Sequence, residues 1–241
     1  MILAANFKSN HTRAGTEAYL EALEAFVVSH EIYDEIIVFP PASALRENTL
    51  HVKVGAQNAF AVSNGAFTGE LALDQLEEFG IKTILIGHSE RRHVIGETQE
   101  LIAEKFEFYK KQGFRIVYCI GEPLEVREEG NDALLEYLDA QYEGIDFGYD
   151  NVIIAYEPVW AIGSGLTPTH EDIELIHGAI KKVHDKPLLY GGSVKTDNAR
   201  AILALDHVDG ILVGSGALNV NDFCDMINDA KEINKGVEPS W

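Results

Sequence analysis

Apolar residues gather in eight short runs rich in β-branched and aromatic side chains: Ile2–Phe7, Glu35–Phe39, Val52–Ala56, Thr83–Ile86, Arg115–Ile120, Val152–Tyr156, Pro187–Tyr190 and Gly210–Val213. Most run continuously apolar instead of alternating with polar residues, which is the pattern of strands covered on both faces, as in parallel sheets. Between them the period lengthens to that of a helix, most clearly over 18–27, 101–109, 133–142 and 173–183. Asp197 with Asn198, and Asn219 with Asn221, supply capping side chains near the starts of the last two helices.

Strand then helix, repeated to a count of eight, predicts the α/β class and a single-domain (β/α)8 barrel over residues 1–241. An open doubly wound sheet is the competing architecture. It calls for a glycine-rich fingerprint after the first strand, where this chain has Asn6-Phe7-Lys8-Ser9-Asn10. The units differ in length and sequence, which argues against a solenoid.

Composition narrows the function. Lys and Arg number 19 against 39 Asp and Glu, a net charge of −20, which disfavours nucleic acid or an anionic membrane as partner. No segment approaches the roughly 20 apolar residues that span a bilayer. Cys119 and Cys224 lie far apart with no metal-ligand spacing, so no disulfide framework and no metal site is expected, and a reducing cytoplasm fits best.

Polar residues collect where the predicted strands end: Asn6 and Lys8, Gln57 and Asn58, His88-Ser89-Glu90, and Glu157. In a barrel those ends converge on one face, where active sites of this architecture lie. Glu157 places a carboxylate at the mouth of an apolar strand. Burial there is expected to raise its proton affinity and suit a general base, although a strand-end carboxylate is more often an ion-pair partner. His88 is expected at a helix N-terminus, whose dipole disfavours the imidazolium and keeps a neutral ring able to donate a hydrogen bond. Lys8 brings positive charge that an anionic substrate needs when it approaches so acidic a protein. Gly163-Ser164-Gly165, Gly191-Gly192-Ser193 and Gly214-Ser215-Gly216 each read alone as turns. Together, at the ends of the last three strands, they read as a cradle of backbone N–H groups for a phosphate. Pro158 through Pro168 read as a lid that excludes water, with Trp160 and Ile162 out of place in a merely solvated loop.

Five stretches, Asn6-Phe7-Lys8, Gly65-Ala66-Phe67-Thr68-Gly69-Glu70, Gly87-His88-Ser89-Glu90-Arg91-Arg92, Ala155 through Gly163 and Tyr190 through Val194, resemble the triosephosphate isomerase family nearly end to end and in its order. The resemblance implies a TIM barrel that interconverts glyceraldehyde 3-phosphate and dihydroxyacetone phosphate, a step of glycolysis and gluconeogenesis, with no metal or organic cofactor. It implies Glu157 as base, His88 as neutral electrophile, and Lys8 with Asn6 holding the substrate. Backbone at Gly163, Ser193, Gly214 and Ser215 would hold the phosphate, with Glu90 in support. Thr68 would reach towards the partner's site in a homodimer. The chain departs from the family pattern at Phe7 and Ser9, at Leu166 and Pro168 near the end of the lid, and in Gly-Ser-Gly-Ala-Leu at the last phosphate loop.

Overall fold

The computed structural model describes residues 1–162 and 167–234. Eight parallel strands, β1 (Ile2–Asn6), β2 (Glu35–Phe39), β3 (Val52–Val54), β4 (Thr83–Ile86), β5 (Arg115–Ile120), β6 (Val152–Tyr156), β7 (Leu188–Tyr190) and β8 (Gly210–Val213), pair in the order β3-β2-β1-β8-β7-β6-β5-β4. The last gap is closed beyond the end of β3. Ala56 donates its N–H to the Thr83 carbonyl and accepts from Leu85 N–H, both at 2.9 Å, in a parallel bridge with Ile84. The sheet therefore curls into the expected barrel, with β3 two residues shorter than the apolar run that contains it.

Alternation along each strand builds two cores. Ile2, Ala4, Ile37, Phe39, Leu85 and Val117 belong to a cluster inside the barrel. Leu3, Ala5, Ile36, Val38, Ile84 and Ile116 point the other way, into the layer beneath the helices. Both faces need apolar residues, which is why the strands read as continuous runs.

Around the strands lie α1 (Arg13–Ser29), α2 (Leu73–Glu78), α3 (Gln99–Lys111), α4 (Leu124–Glu128), α5 (Asn131–Ala140), α6 (His170–Val183), α7 (Ala199–Leu203) and α8 (Val220–Asn234). Thr12, Thr98 and Thr169 cap α1, α3 and α6 by accepting backbone N–H groups of the first turn. Asn219 does the same for Asn221 at the start of α8. Asn198 is used differently: at the start of α7 its side chain bonds the Ser193 carbonyl and the Lys195 N–H, tying down the loop after β7. Pro168 stands just outside α6, directly before its cap, where a fixed φ and a missing N–H cost the helix nothing. Among the described residues no helix is long and apolar enough to cross a membrane.

Candidate active site

The ends of β1, β4, β6, β7 and β8 meet around a cleft of about 190 Å³. That is below the roughly 300–1,000 Å³ of drug-sized pockets. Asn6, Lys8, His88, Glu157, Ser193, Gly214 and Ser215, all predicted site residues, line it together. Gly163 and the centre of the predicted lid lie outside the described residues.

Lys8 adopts a left-handed backbone, φ 51, a conformation that costs a residue with a side chain about 1–3 kcal/mol. Its neighbours hold it there. Asn6 Oδ1, from the last residue of β1, accepts the Lys8 N–H at 3.0 Å, and Gln57 Nε2 donates to the Lys8 carbonyl at 2.8 Å. The ammonium reaches Glu90 at 2.6 Å, on the side of the wider neighbouring cleft that Glu90 lines.

Glu157 follows β6 directly and is only 2% exposed. Its Oε1 lies 3.0 Å from His88 Nε2, and its Oε2 accepts the Ser89 N–H at 3.0 Å. Close packing fixes the carboxylate's stem: a Cβ added to Gly191, at the end of β7, would lie 2.8 Å from Glu157 Cγ. The glycine that reads as part of a phosphate loop is thus also required by the carboxylate.

Burial alone would push the Glu157 carboxyl up, as expected from the sequence, but the direction is reversed. The charge and hydrogen bond of the His88 ring, the Ser89 N–H and Lys8 together outweigh burial and hold it below the usual carboxylate range. The same pairing acts on His88: burial disfavours its imidazolium, and the adjacent Glu157 carboxylate raises the ring's proton affinity above the ordinary value. His88 does open a helical turn, its carbonyl accepting the Arg91 and Arg92 N–H groups at 2.8 and 3.1 Å. Moreover, Glu90 N–H donates to His88 Nδ1 at 3.2 Å, which leaves Nδ1 as an acceptor and puts the proton of a neutral ring on Nε2. The ring therefore presents a donor to the cleft.

Beside the base, Trp160 Nε1 and Tyr156 Oη both donate to Glu122 Oε1, at 2.8 and 3.1 Å, and burial pushes the Glu122 carboxyl up. This anchors the described start of the predicted lid segment. Thr68 does not line the cleft. Its neighbours Gly69 and Glu70 border a second, wider one of about 510 Å³ that adjoins Lys8, His88 and Ile95.

The sequence reading missed Asn10, Val194, Lys195 and Leu212, which complete the wall. Asn10 and Lys195 had a signal, since each stands two residues beyond a predicted site residue. The Ser89 N–H had none, because a backbone donor leaves no mark in composition.

Across its length the chain is similar to known proteins. The profile of the family described as triosephosphate isomerase matches residues 1–230. The triosephosphate isomerase of Sulfurimonas denitrificans is 59% identical over 235 residues, covering 98% of each chain. That of Sulfurovum sp. is 56% identical over 94% of this chain and 99% of its own, and that of Helicobacter pylori (strain Shi470) 47% identical over 94% and 98%. Taken with a barrel that converges Lys8, His88 and Glu157 on one small cleft, likeness of this extent means that the chain belongs to the triosephosphate isomerase family, a family of isomerases.

Proposed function

We propose that this chain, as one barrel domain, interconverts glyceraldehyde 3-phosphate and dihydroxyacetone phosphate through an enediolate. The observation that carries the reading is the 3.0 Å approach of Glu157 to His88 in a cleft that also holds Lys8. Glu157 takes the proton from the carbon beside the carbonyl and returns it to the former carbonyl carbon, while the proton of the adjacent hydroxyl passes to the former carbonyl oxygen by way of His88 Nε2. His88 Nε2–H donates to the oxygen on which charge develops, and the fixed charge of Lys8 stabilises that oxygen further.

In this reading the histidine acts as a neutral donor once substrate has replaced its resting bond to Glu157. Substrate entering the cleft takes the Nε2–H that Glu157 now holds, and the carboxylate turns to the carbon. His88 then loses the nearer of two anions that favour its imidazolium, leaving Glu90 at 3.8 Å from Nδ1, while burial and Lys8 continue to disfavour it. The Glu90 N–H at Nδ1 opposes a second ring proton.

Asn6 supports the lysine's backbone, and Glu90 sets the resting place of its ammonium. The phosphate is held by backbone at Ser193, Gly214 and Ser215. No metal or cofactor takes part. Two copies of the chain form a homodimer, each offering Thr68 towards the other's site. Cys119 and Cys224 are free, buried thiols, which suits the cytoplasm.

Conversion of glyceraldehyde 3-phosphate by the purified protein, followed through a coupled dehydrogenase in the presence of a metal chelator, tests this directly. Turnover that Glu157→Gln lowers by about 10²–10⁴-fold is expected. A folded protein without turnover overturns the reading.

A further inference from the structure

Behind the cleft, Gln141 stands at the C-terminal end of α5, 7% exposed and remote in sequence from every site residue. Its side-chain amide bonds both polar groups of one residue. Oε1 accepts the Gly121 N–H at 3.1 Å, and Nε2 donates to the Gly121 carbonyl at 2.8 Å. Gly121 follows the end of β5, so the amide takes the place of a strand partner where β5 has ended.

What Gly121 rests on is the mount of the carboxylate. A Cβ at Gly121 would lie 1.8 Å from the Glu157 carbonyl oxygen, so the two backbones touch with no side chain between them. On either side, Glu157 N–H donates to the Ile120 carbonyl at 2.7 Å and Val159 N–H to the Glu122 carbonyl at 3.0 Å. The residues that flank and include Gly121 therefore set where the Glu157 backbone sits.

From the other end, Gln141 connects to the mount of His88. Its carbonyl accepts from Tyr118 Oη, and from Gln99 Nε2 at 3.0 Å. Arg92 bonds both of those residues, donating to Tyr118 Oη at 2.9 Å and to Gln99 Oε1 at 2.8 Å. Arg92 Nε then donates at 2.7 Å to the carbonyl of Gly87, the residue before His88. Hydrogen bonds thus run from the backbone before His88 to Gly121, which packs on the Glu157 backbone, while the neighbouring Ile120 carbonyl accepts the Glu157 N–H.

We propose that Gln141 is a positioning residue: by clamping Gly121 from outside the barrel, it fixes the separation of Glu157 and His88. The proposal rests on the reading of those two residues as base and electrophile. A buried amide that only satisfied two peptide groups would affect stability alone. Here the clamped peptide is the surface on which the base is mounted, and a misplacement of about 1 Å at a reacting group costs on the order of 10²-fold in rate.

The test compares wild type with Gln141→Leu, which removes both bonds at similar volume, and with Gln141→Glu. Steady-state rates, inhibition by inorganic phosphate, melting temperature and the ¹⁵N-detected titration of the His88 ring are measured for each. Expected for Gln141→Leu is a kcat lower by about 10- to 100-fold, in line with that misplacement cost, with KM and phosphate inhibition within about twofold. The His88 ring should also titrate closer to an ordinary histidine, as its carboxylate moves off. In Gln141→Glu the introduced carboxyl, while protonated, can both accept from and donate to Gly121, whereas its ionised form cannot donate. The Gln141→Glu rate relative to wild type should therefore fall as pH rises. A lower melting temperature with wild-type kcat and wild-type His88 titration overturns the proposal. Should Gln141→Leu not fold, a pH-independent Gln141→Glu at the wild-type rate does the same. Absence of turnover in wild type would sink the isomerase reading instead, and the His88 titration would still decide whether Gln141 positions the pair.

Discussion

Glu157 Oε1 lies 3.0 Å from His88 Nε2, so the carboxylate that follows β6 and the imidazole that follows β4 occupy each other in the resting site. Each favours the charged form of the other against burial. Replacing Glu157 with Gln removes a base, which is worth about 10²–10⁴-fold in rate. A loss of kcat of that size is expected from steady-state assays, with the fold retained by circular dichroism. The same variant removes the anion beside His88 and leaves burial, so NMR should find the ring titrating at lower pH than in wild type. Normal turnover would refute the base, and an unmoved ring would refute the pairing.

Lys8 is held in a left-handed conformation by Asn6 and Gln57, with its ammonium on Glu90 at 2.6 Å. Charge-assisted hydrogen bonds contribute about 1.5–3 kcal/mol, or roughly 10- to 100-fold in affinity. Lys8→Ala should weaken inhibition by inorganic phosphate and raise KM by a factor in that range. Glu90 is exposed, so its pair with Lys8 is weak, and Glu90→Gln should tighten phosphate binding only a few-fold. Unchanged phosphate affinity in Lys8→Ala would remove the lysine from the substrate site.

His177, on α6, is fully buried against Tyr156 and Tyr190, and its Nδ1 contacts the His207 carbonyl at 3.1 Å. Burial holds its pKa down, from 6.5 to about 4. The unfolded chain therefore takes up a proton below pH 6.5 that the folded chain refuses until about pH 4. Stability is complete above the unfolded pKa and declines as pH falls across that window, by about 3 kcal/mol from this group. Urea unfolding of wild type and His177→Gln at about pH 7.5 and about pH 4.5, on either side of most of that window, measures it. The acid loss should shrink by nearly that amount in the variant, and an equal loss in both proteins would show that His177 is not responsible.

Val94 and Ile95, in the turn after His88, are 80% and 64% exposed, and Phe67 also stands out beside Thr68. Ile95 borders the wider cleft with Glu70 and Lys8. Large apolar side chains beside a cleft suit a face covered by a second copy. Sedimentation velocity should give twice the 26.6 kDa of one chain, and Val94→Asp should shift the population to monomer with reduced kcat. A fully active monomer at micromolar concentration would end the homodimer proposal.

Much of the barrel was legible in the chain, for a physical reason. A strand buried on both faces needs apolar residues at consecutive positions, and an amphipathic helix needs them every three to four. Runs such as Val152 to Tyr156 and stripes such as Ile173, Ile176 and Ile180 therefore declare themselves locally. Once the strands are counted, their ends are known to converge, and Asn6, His88 and Glu157 fall together as a consequence of topology. Motif spelling then supplied the family, because the stretches around His88 and Glu157 are long.

What only the tertiary structure decided concerns pairs of groups and the field between them. Burial at a strand end predicts a raised Glu157 pKa. The opposite direction follows from the His88 ring and the Ser89 N–H reaching the carboxylate from the end of another strand, and no local pattern encodes that approach. Closure of the barrel rests on Ala56, a residue the pattern assigns to a strand and the fold uses as a bridge. Gln141 carries no signal at all, since a buried amide clamping the peptide of Gly121 reads in sequence as one more polar residue at a helix end. Sequence by itself determined the eight strands, the longer helices and which chemistry each strand end carries, because those depend on local period and side-chain type, whereas short helices such as α2 and α4 span too few turns to show a period. Distance, orientation and the balance of burial against charge belong to the folded chain, because they exist only once residues far apart in sequence share one dry space.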